Sequence, residues 1–490
     1  YHLGDKNRWG KGTLWGRAAA VPFLVRGPGV KPGTTSKPVG LVDVYPTLVD
    51  VAGIEAPGHV LDGKSLVPWF SDPQKDTGGA NVFAYGKNNT SVSDGDWRYI
   101  RYHDGSEELY DLSDDPLEFS NVAAAREHSG QSRRLAEHIP TSWAPSVGGR
   151  REVKQPGEPD FFPNENLVAQ RTDKPNIIVV FTDDQGYGDA GVYGSPDIRT
   201  PNLDRMADEG MRFTDFYVSD AVCSASRAGL LSGRRAAVTG AKGVYWPGQA
   251  GLSPQVVTIA EMLKPAGYAT ALYGKWHLGE RPQHSPLAQG FDDYFGVPYS
   301  NDMYPHPDHV LSDDVRFTSG YDEQRYRADL ERVEQQTEKM WEMARELGYK
   351  VPLFEGNEVV EYPAEQATLT KRYFARARRF ISEHQEGPFF LLITPSMPHI
   401  PLAASDEFRG KSQRGLYGDV IEEIDWEVGQ LREHLQQLGL DSRTLLLFTS
   451  DNGPWLEKGE DGGSAGELRG GKASNFEGGV RVPAIAAWPG

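Results

Sequence analysis

From residue 175 onward the chain alternates short apolar runs with polar segments of helix length. The runs "NIIVVF", "YATALY", "PFFLLIT" and "TLLLFT" have strand length and show no apolar–polar alternation. Such strands are buried on both faces, which predicts a largely parallel sheet. Helices are predicted between them at Asn202–Glu209, Ser226–Leu231, Val257–Lys264, Leu369–Glu383 and Tyr417–Gln437. Strand–helix alternation predicts an α/β fold with helices flanking the sheet. Between Ser300 and Pro363 the pattern breaks. "YDEQRYRADLERVEQQTEKMWEMARELGY" reads as one charged helix within an insertion near the mouth of the site.

The first 150 residues have a different texture. "SKPVGLVDVYPTLVDVAG" predicts a helix closed by Gly53, and residues 81–139 predict a small antiparallel subdomain with tight turns. Residues 151–174 are polar and contain prolines, as a linker does. This divides the chain into 1–150, a linker at 151–174 and a larger unit at 175–490. One element occurs twice: Lys11–Gly29 aligns without gaps on Lys472–Gly490, sharing the lysine, Val-Pro and the closing Pro-Gly.

A hydrophobic content of 38% and 51 basic against 69 acidic residues, a net charge of −18, fit a globular protein that does not take nucleic acid as its main partner. No apolar run reaches the roughly 18 residues of a membrane span. One cysteine, Cys223, excludes an internal disulfide. The chain begins with Tyr1, so a missing signal peptide says little about export, and a periplasmic or extracellular location is expected over a cytoplasmic one.

Chemically capable residues cluster where the apolar runs end. One run ends in Asp183 and Asp184, another in Asp451 and Asn452, a third in Lys275 and His277, and a fourth near His399. Ligands of open α/β sheets bind beyond the carboxyl ends of the strands. A single Asp there is more often a helix cap or a turn. Two pairs after two similar strands favour a cation between them, and oxygen donors favour Ca2+ or Mg2+ over zinc. Arg227, Lys275, His277, His399 and Lys472 stand at strand ends or in glycine-rich turns, where cations can hold an oxyanion. Cys223 sits among small polar residues that suit a pocket floor. It is either a thiolate activated by Arg227 and a helix N-terminus or a buried structural cysteine.

The stretches "PNIIVVFTDDQGYGD", "CSASRAGLLSGR", "GYATALYGKWHLG", "GFDDYFGVPYSND", "FTSDNG" and "GGKASNFEGGVRVPAI" resemble the sulfatase family of the alkaline-phosphatase-like superfamily, from Lys174 to Gly490. The resemblance implies that a maturation enzyme oxidises Cys223 to Cα-formylglycine, although Ala225 stands where the family has proline. It implies Ca2+ held by Asp183, Asp184, Asp451 and Asn452. The aldehyde hydrate is the implied nucleophile, steadied by Arg227. Lys275, Ser300 and Lys472 are implied to grip sulfate oxygens, His399 with Lys472 to assist the leaving alcohol, and His277 to act as base when sulfate is expelled. The implied substrate is a sulfated sugar or an aryl sulfate. "VPYSND" and "PLFEGNEVVEYPAEQATLTKRY" look most like arylsulfatases and N-acetylgalactosamine-6-sulfatases. Alternatives are a phosphonate or phosphate monoester hydrolase of the same superfamily, or a non-catalytic anion- or glycan-binding remnant. Residues 1–140 resemble the C-terminal part of another sulfatase, from just after a second metal motif. The chain therefore reads as one sulfatase tail followed by a sulfatase front truncated at Gly490. Residues 41–139 are expected to pack on the 175–490 unit as a permuted substitute for its end. Of the two repeat copies the second is expected to keep its place, leaving residues 1–29 at the sheet edge or poorly ordered.

Overall fold

The computed structural model describes residues 30–35, 37–75, 80–84, 88–141, 143, 174–241, 243–318, 320–335 and 340–488, with short strands at 2–3, 9–10 and 23–26. The expected linker lies outside these residues except for Lys174, as does most of the first repeat copy.

The main sheet contains β1 (Phe23–Arg26), β2 (Asn176–Thr182), β3 (Met211–Tyr217), β4 (Ala269–Gly274), β5 (Asp293–Gly296), β6 (Val310–Phe317), β7 (Leu353–Glu355), β8 (Glu358–Tyr362), β9 (Phe389–Thr394), β10 (Thr444–Ser450) and β11 (Arg481–Ala487). Their order is β3, β11, β1, β10, β2, β9, β4, β5, β7, β8, β6. The centre, β10–β2–β9–β4–β5, is parallel throughout. Antiparallel pairs flank it on both sides. The unbroken apolar runs follow from this placement. Ile177, Val179 and Phe181 enter one core with Leu445 and Leu447. Ile178 and Val180 enter the other, with Leu446, Phe448 and the helices Leu369–Glu383 and Leu416–Gln437. The fold is thus α/β, a mostly parallel sheet covered by helices, with a small antiparallel sheet beside it.

Two local readings change. The helix expected at Ser226–Leu231 begins three residues earlier and spans Cys223–Ser232, with extended Val222 before it, so Cys223 is its first residue. The charged stretch at 321–349 carries two helices, Glu323–Gln335 and Met340–Leu347, on either side of residues outside the description.

Residues 41–139 lie against the main unit. The helix Val44–Ala52 closes at left-handed Gly53 (φ 62°) and packs beside the Cys223 helix. At Gly233 (φ 62°) an added Cβ would fall 2.5 Å from the Tyr45 Cβ, so glycine permits both the turn and the approach. Strands Asn81–Ala84, Thr90–Ser93, Trp97–Arg101 and Glu107–Asp111 form the small antiparallel sheet. A buried ion cluster joins it to the main unit: Arg98 pairs with Glu118 at 2.6 Å and with Glu477, and Tyr217 donates to Glu477 at 2.8 Å.

The repeat copies meet at one place. Leu446, Leu447 and Phe448 of β10 face Ala487, Ala486 and Ile485 of β11, and equally Arg26, Val25 and Leu24 of β1. Met211 and Arg212 of β3 are matched in the same double way. The register is that of the sequence repeat. A strand edge hydrogen-bonds one neighbour at a time, so the position admits one copy in any one molecule. Residues 23–26 of the first copy thus meet the same register as residues 484–487 of the second. The second copy has the longer register, since β11 also pairs Phe216 and Tyr217 of β3.

Two stability predictions follow from buried charges. Arg98 and Glu477 are 2% and 3% exposed, and removing one partner of such a pair costs about 3–5 kcal/mol. Arg98→Met is expected to lower the urea-unfolding free energy by that amount, and a loss under about 1 kcal/mol would mean the cluster is not the joint. Asp425 accepts from Asn202 N–H (3.1 Å) and Leu203 N–H (2.8 Å), capping the helix Pro201–Asp208 from a neighbouring helix. Burial pushes its carboxyl up from 3.8 to about 7, against the hydrogen bonds from Leu203 and Asn202. A raised folded-state pKa contributes stability that is complete below 3.8 and is lost as pH rises through about 7. The fall in Tm across that window is expected to be smaller in Asp425→Asn than in the parent chain.

Candidate active site

The parallel neighbours β10, β2, β9 and β4 deliver their carboxyl ends to one edge of the sheet. Asp183 and Asp184 follow β2, Asp451 and Asn452 follow β10, Lys275 and His277 follow β4, and His399 follows β9 by a short loop. Backbone bonds fix the register of the ends: Asp451 N–H donates to Thr182 C=O at 3.0 Å, and Asp183 N–H to Met397 C=O at 3.3 Å. Cys223 enters from the side on its helix, with Sγ 3.5 Å from Asp183 Oδ1. Ligand atoms of Asp183, Asp184, Cys223 and Asp451 all lie within 4.8 Å of one another.

Three cations answer the three carboxylates. Arg227, one turn beyond Cys223, donates to Asp451 Oδ2 through Nη2 (2.8 Å) and Nε (3.0 Å). Lys275 Nζ is 2.6 Å from Asp183 Oδ2, and Lys472 Nζ is 2.5 Å from Asp184 Oδ1. All six side chains are buried. An unpaired charge here would cost several kcal/mol, so each holds its partner in place. Lys472 is held above the ordinary lysine range: burial opposes its charge, but Asp184 and the neighbouring acidic groups outweigh it. Asp184, His277 and Ala473 adopt left-handed backbone (φ 63°, 61° and 62°). Such conformations cost about 1–3 kcal/mol each and persist where surrounding contacts over-determine them.

Two histidines complete the wall. Burial first, then Lys275 and Arg227, drive His277 well below the usual histidine range, so its ring is neutral. Its Nε2 donates to Tyr245 C=O at 3.0 Å, which leaves Nδ1 as a buried lone pair without a hydrogen-bond partner. His399 is also neutral, through burial and Lys472. Its Nδ1 donates to Ile400 C=O at 2.6 Å, and its Nε2 accepts from Ser300 Oγ at 3.1 Å. Ser300 Oγ also lies 3.4 Å from Lys275 Nζ. Asn301 Nδ2 donates to the carbonyls of His399 and Pro401, both at 3.2 Å, and fixes this loop. The Cys223 thiol is pushed up, by burial and then by Asp451. Asp451 engages the Arg227 guanidinium, and carboxylates surround the sulfur.

The residues fit a divalent cation. Asn452 Nδ2 donates to Asp184 Oδ1 (2.7 Å) and to Gly453 C=O (2.9 Å), while Asn452 Oδ1 is buried with no hydrogen-bond partner. An orphaned carbonyl oxygen beside three gathered carboxylates is a hard-donor set suited to Ca2+ or Mg2+. Every residue singled out in the sequence converges here. One neighbour escaped that reading: Trp455, whose ring lies 5.2 Å from that of His399 and 4.6 Å from Lys472 Nζ. Its only sequence signal is its place just after "DNGP".

Comparison with known proteins agrees with this geometry. Residues 175–490 match the sulfatase family pattern, and residues 4–142 match the pattern described as N-sulphoglucosamine sulphohydrolase, C-terminal. The chain belongs to the sulfatase family. It is 40% identical over 336 residues to N-acetylgalactosamine-6-sulfatase of Rattus norvegicus, covering 66% of this chain and 59% of the relative. It is 40% identical over 322 residues to arylsulfatase A of Bos taurus, covering 64% and 59%. A crystal structure of a sulfatase from Pseudoalteromonas sp. superposes with a TM-score of 0.53 at 30% identity, over 66% of this chain and 64% of that one. The chain thus spans 59% of the length of each of these two curated relatives.

Calcium binding tests the oxygen cluster. Asp451→Asn is expected to weaken Ca2+ binding by at least about tenfold in titration calorimetry, a loss of about 1.4 kcal/mol. Unchanged affinity would place the cation elsewhere.

Proposed function

We propose that this protein hydrolyses sulfate esters, taking a sulfated sugar or an aryl sulfate as substrate. The observation that carries the reading is the burial of Cys223, Asp183, Asp184 and Asp451 in one cluster, walled by Arg227, Lys275 and Lys472. Three carboxylates and three cations cancel. A divalent cation on the oxygen donors therefore makes the site net positive, which suits an anionic ester.

Bound Ca2+ would polarise sulfate oxygens as a Lewis acid, and a formylglycine made from Cys223 by a maturation enzyme would supply a hydroxyl nucleophile. The chain's own residues do the rest. Arg227 projects from the same helix face as residue 223 and holds Asp451 in place. Lys275, Ser300 and Lys472 present donors to the sulfate oxygens. Lys472 carries the proton for the leaving oxygen beside neutral His399. His277 offers its free Nδ1 as a base. Ala225, the departure from the family's proline, is buried in the first turn of the helix and packs with Val222, Ala236 and Ala473, so the Cys223 turn is closed without proline. Sulfated sugars are the favoured substrates, since curated relatives include an N-acetylgalactosamine-6-sulfatase. A periplasmic or extracellular location agrees with such substrates.

Cys223→Ala is expected to abolish turnover of an aryl sulfate by protein produced with a maturation enzyme, with an unchanged melting curve because small residues surround the site. Turnover equal to that of the parent chain would overturn the role given to Cys223.

A further inference from the structure

We propose that Asp302 is a specificity-determining residue that accepts a hydrogen bond from a ring hydroxyl of a sulfated sugar. The inference rests on the sulfate-ester reading above. Met303 N–H donates to Ser300 C=O at 3.1 Å, closing a tight turn with Asn301 and Asp302 at its centre. At the head of the turn, Ser300 Oγ faces His399 Nε2 at 3.1 Å and Lys275 Nζ at 3.4 Å. Asn301 anchors the middle. Beyond its bonds to the His399 loop, its Nδ2 donates to Gln366 Oε1 at 3.3 Å, and Gln366 Nε2 donates back to Asn301 C=O at 3.4 Å. Asp302 is therefore carried on a fixed turn, two residues from the hydroxyl given to the sulfate.

Asp302 is partly exposed, yet its Oδ1 is buried and has no hydrogen-bond partner. Lys275 and Lys472 act on its charge, but each is already paired, with Asp183 and Asp184. Asp302 is thus a fourth carboxylate, outside the balance of three against three, in a site that receives an anion. It gives nothing to the sulfate group itself, and a buried acceptor left without a donor is costly. A substrate that brings a donor removes that cost. Sugar hydroxyls are such donors, and an unsubstituted aryl ring has none. An aromatic pair follows the turn: Tyr304 faces Trp246 with ring centroids 6.4 Å apart at 32°. Trp246 adjoins Tyr245, whose carbonyl holds His277 Nε2 at 3.0 Å. A carboxylate acceptor near aromatic rings suits a sugar, whose hydroxyls need polar partners and whose C–H faces need apolar cover.

The test measures kcat/KM for 4-nitrophenyl sulfate, a sulfated monosaccharide and the monodeoxy analogues of that sugar. The proteins are the parent, Asp302→Ala and Asp302→Asn, with melting curves to confirm folding. For Asp302→Ala the expected loss is about thirtyfold on the sugar and no more than about threefold on 4-nitrophenyl sulfate, which offers no hydroxyl. One deoxy analogue should cost the parent about thirtyfold as well and cost the Ala variant nothing further, because the shared hydrogen bond is already gone. Asp302→Asn keeps the shape and a neutral acceptor, so it should lose about fivefold on the sugar, and it carries the test if the Ala variant does not fold. Equal losses on both esters, deoxy analogues that cost parent and variant alike, or an Asn variant equal to the parent on the sugar would overturn the role of Asp302 while leaving the hydrolase reading intact. So would a parent chain active on 4-nitrophenyl sulfate and on no sulfated sugar. A parent chain inactive on every ester would overturn that reading, and this inference with it.

Discussion

Carboxylates gathered at the ends of β2 and β10 would repel one another if they stood alone. Arg227, Lys275 and Lys472 each meet one of them at hydrogen-bonding distance. This buried balance of charge is the constraint on which the site depends. It requires the carboxyl ends of four parallel strands to stop at one level, a helix to begin at Cys223, and a glycine-rich turn to bring Lys472 across from β11. Left-handed backbone at Asp184, His277 and Ala473 shows where the chain yields to that demand. The same balance makes the cluster responsive to a divalent cation, since any positive charge added to a neutral set leaves a surplus for an anion.

The N-terminal part is tied to this arrangement by a second buried charge cluster. Arg98 reaches Glu477, and Glu477 lies between Lys472 and β11. Arg469, on the same turn, donates to the carbonyls of Leu117 and Glu118 at 3.3 Å. The segment carrying Lys472 is thus held from both sides, by the strand that follows and by the small sheet. Both copies of the repeated element fit the place beside β10 because the same backbone hydrogen-bond register serves both. What separates them is length of pairing.

Much of this was legible in the sequence. Unbroken apolar runs identified the central strands, because strands buried on both faces have no solvent side to alternate with. The polar residues ending each run marked the site edge. What escaped has physical causes. The first turn of the Cys223 helix is polar and small, so periodicity could not set its start. The carboxylates around Cys223 stand about 40 and 230 residues away in sequence, a distance no local pattern carries. Trp455 resembles any loop aromatic until the fold brings Lys472 beside it. The doubled strand was visible as a repeat, and a repeat conveys register without naming the neighbour.

The central claim is that the buried thiol at position 223 is the precursor of a reactive group and not a structural cysteine. Carbonyl-specific labelling of protein produced with a maturation enzyme, followed by mass spectrometry of the peptide containing residue 223, tests this most directly. The account predicts a labelled peptide carrying an aldehyde in place of the thiol. An intact, unlabelled Cys223 thiol, in a host that matures a control sulfatase, would contradict it.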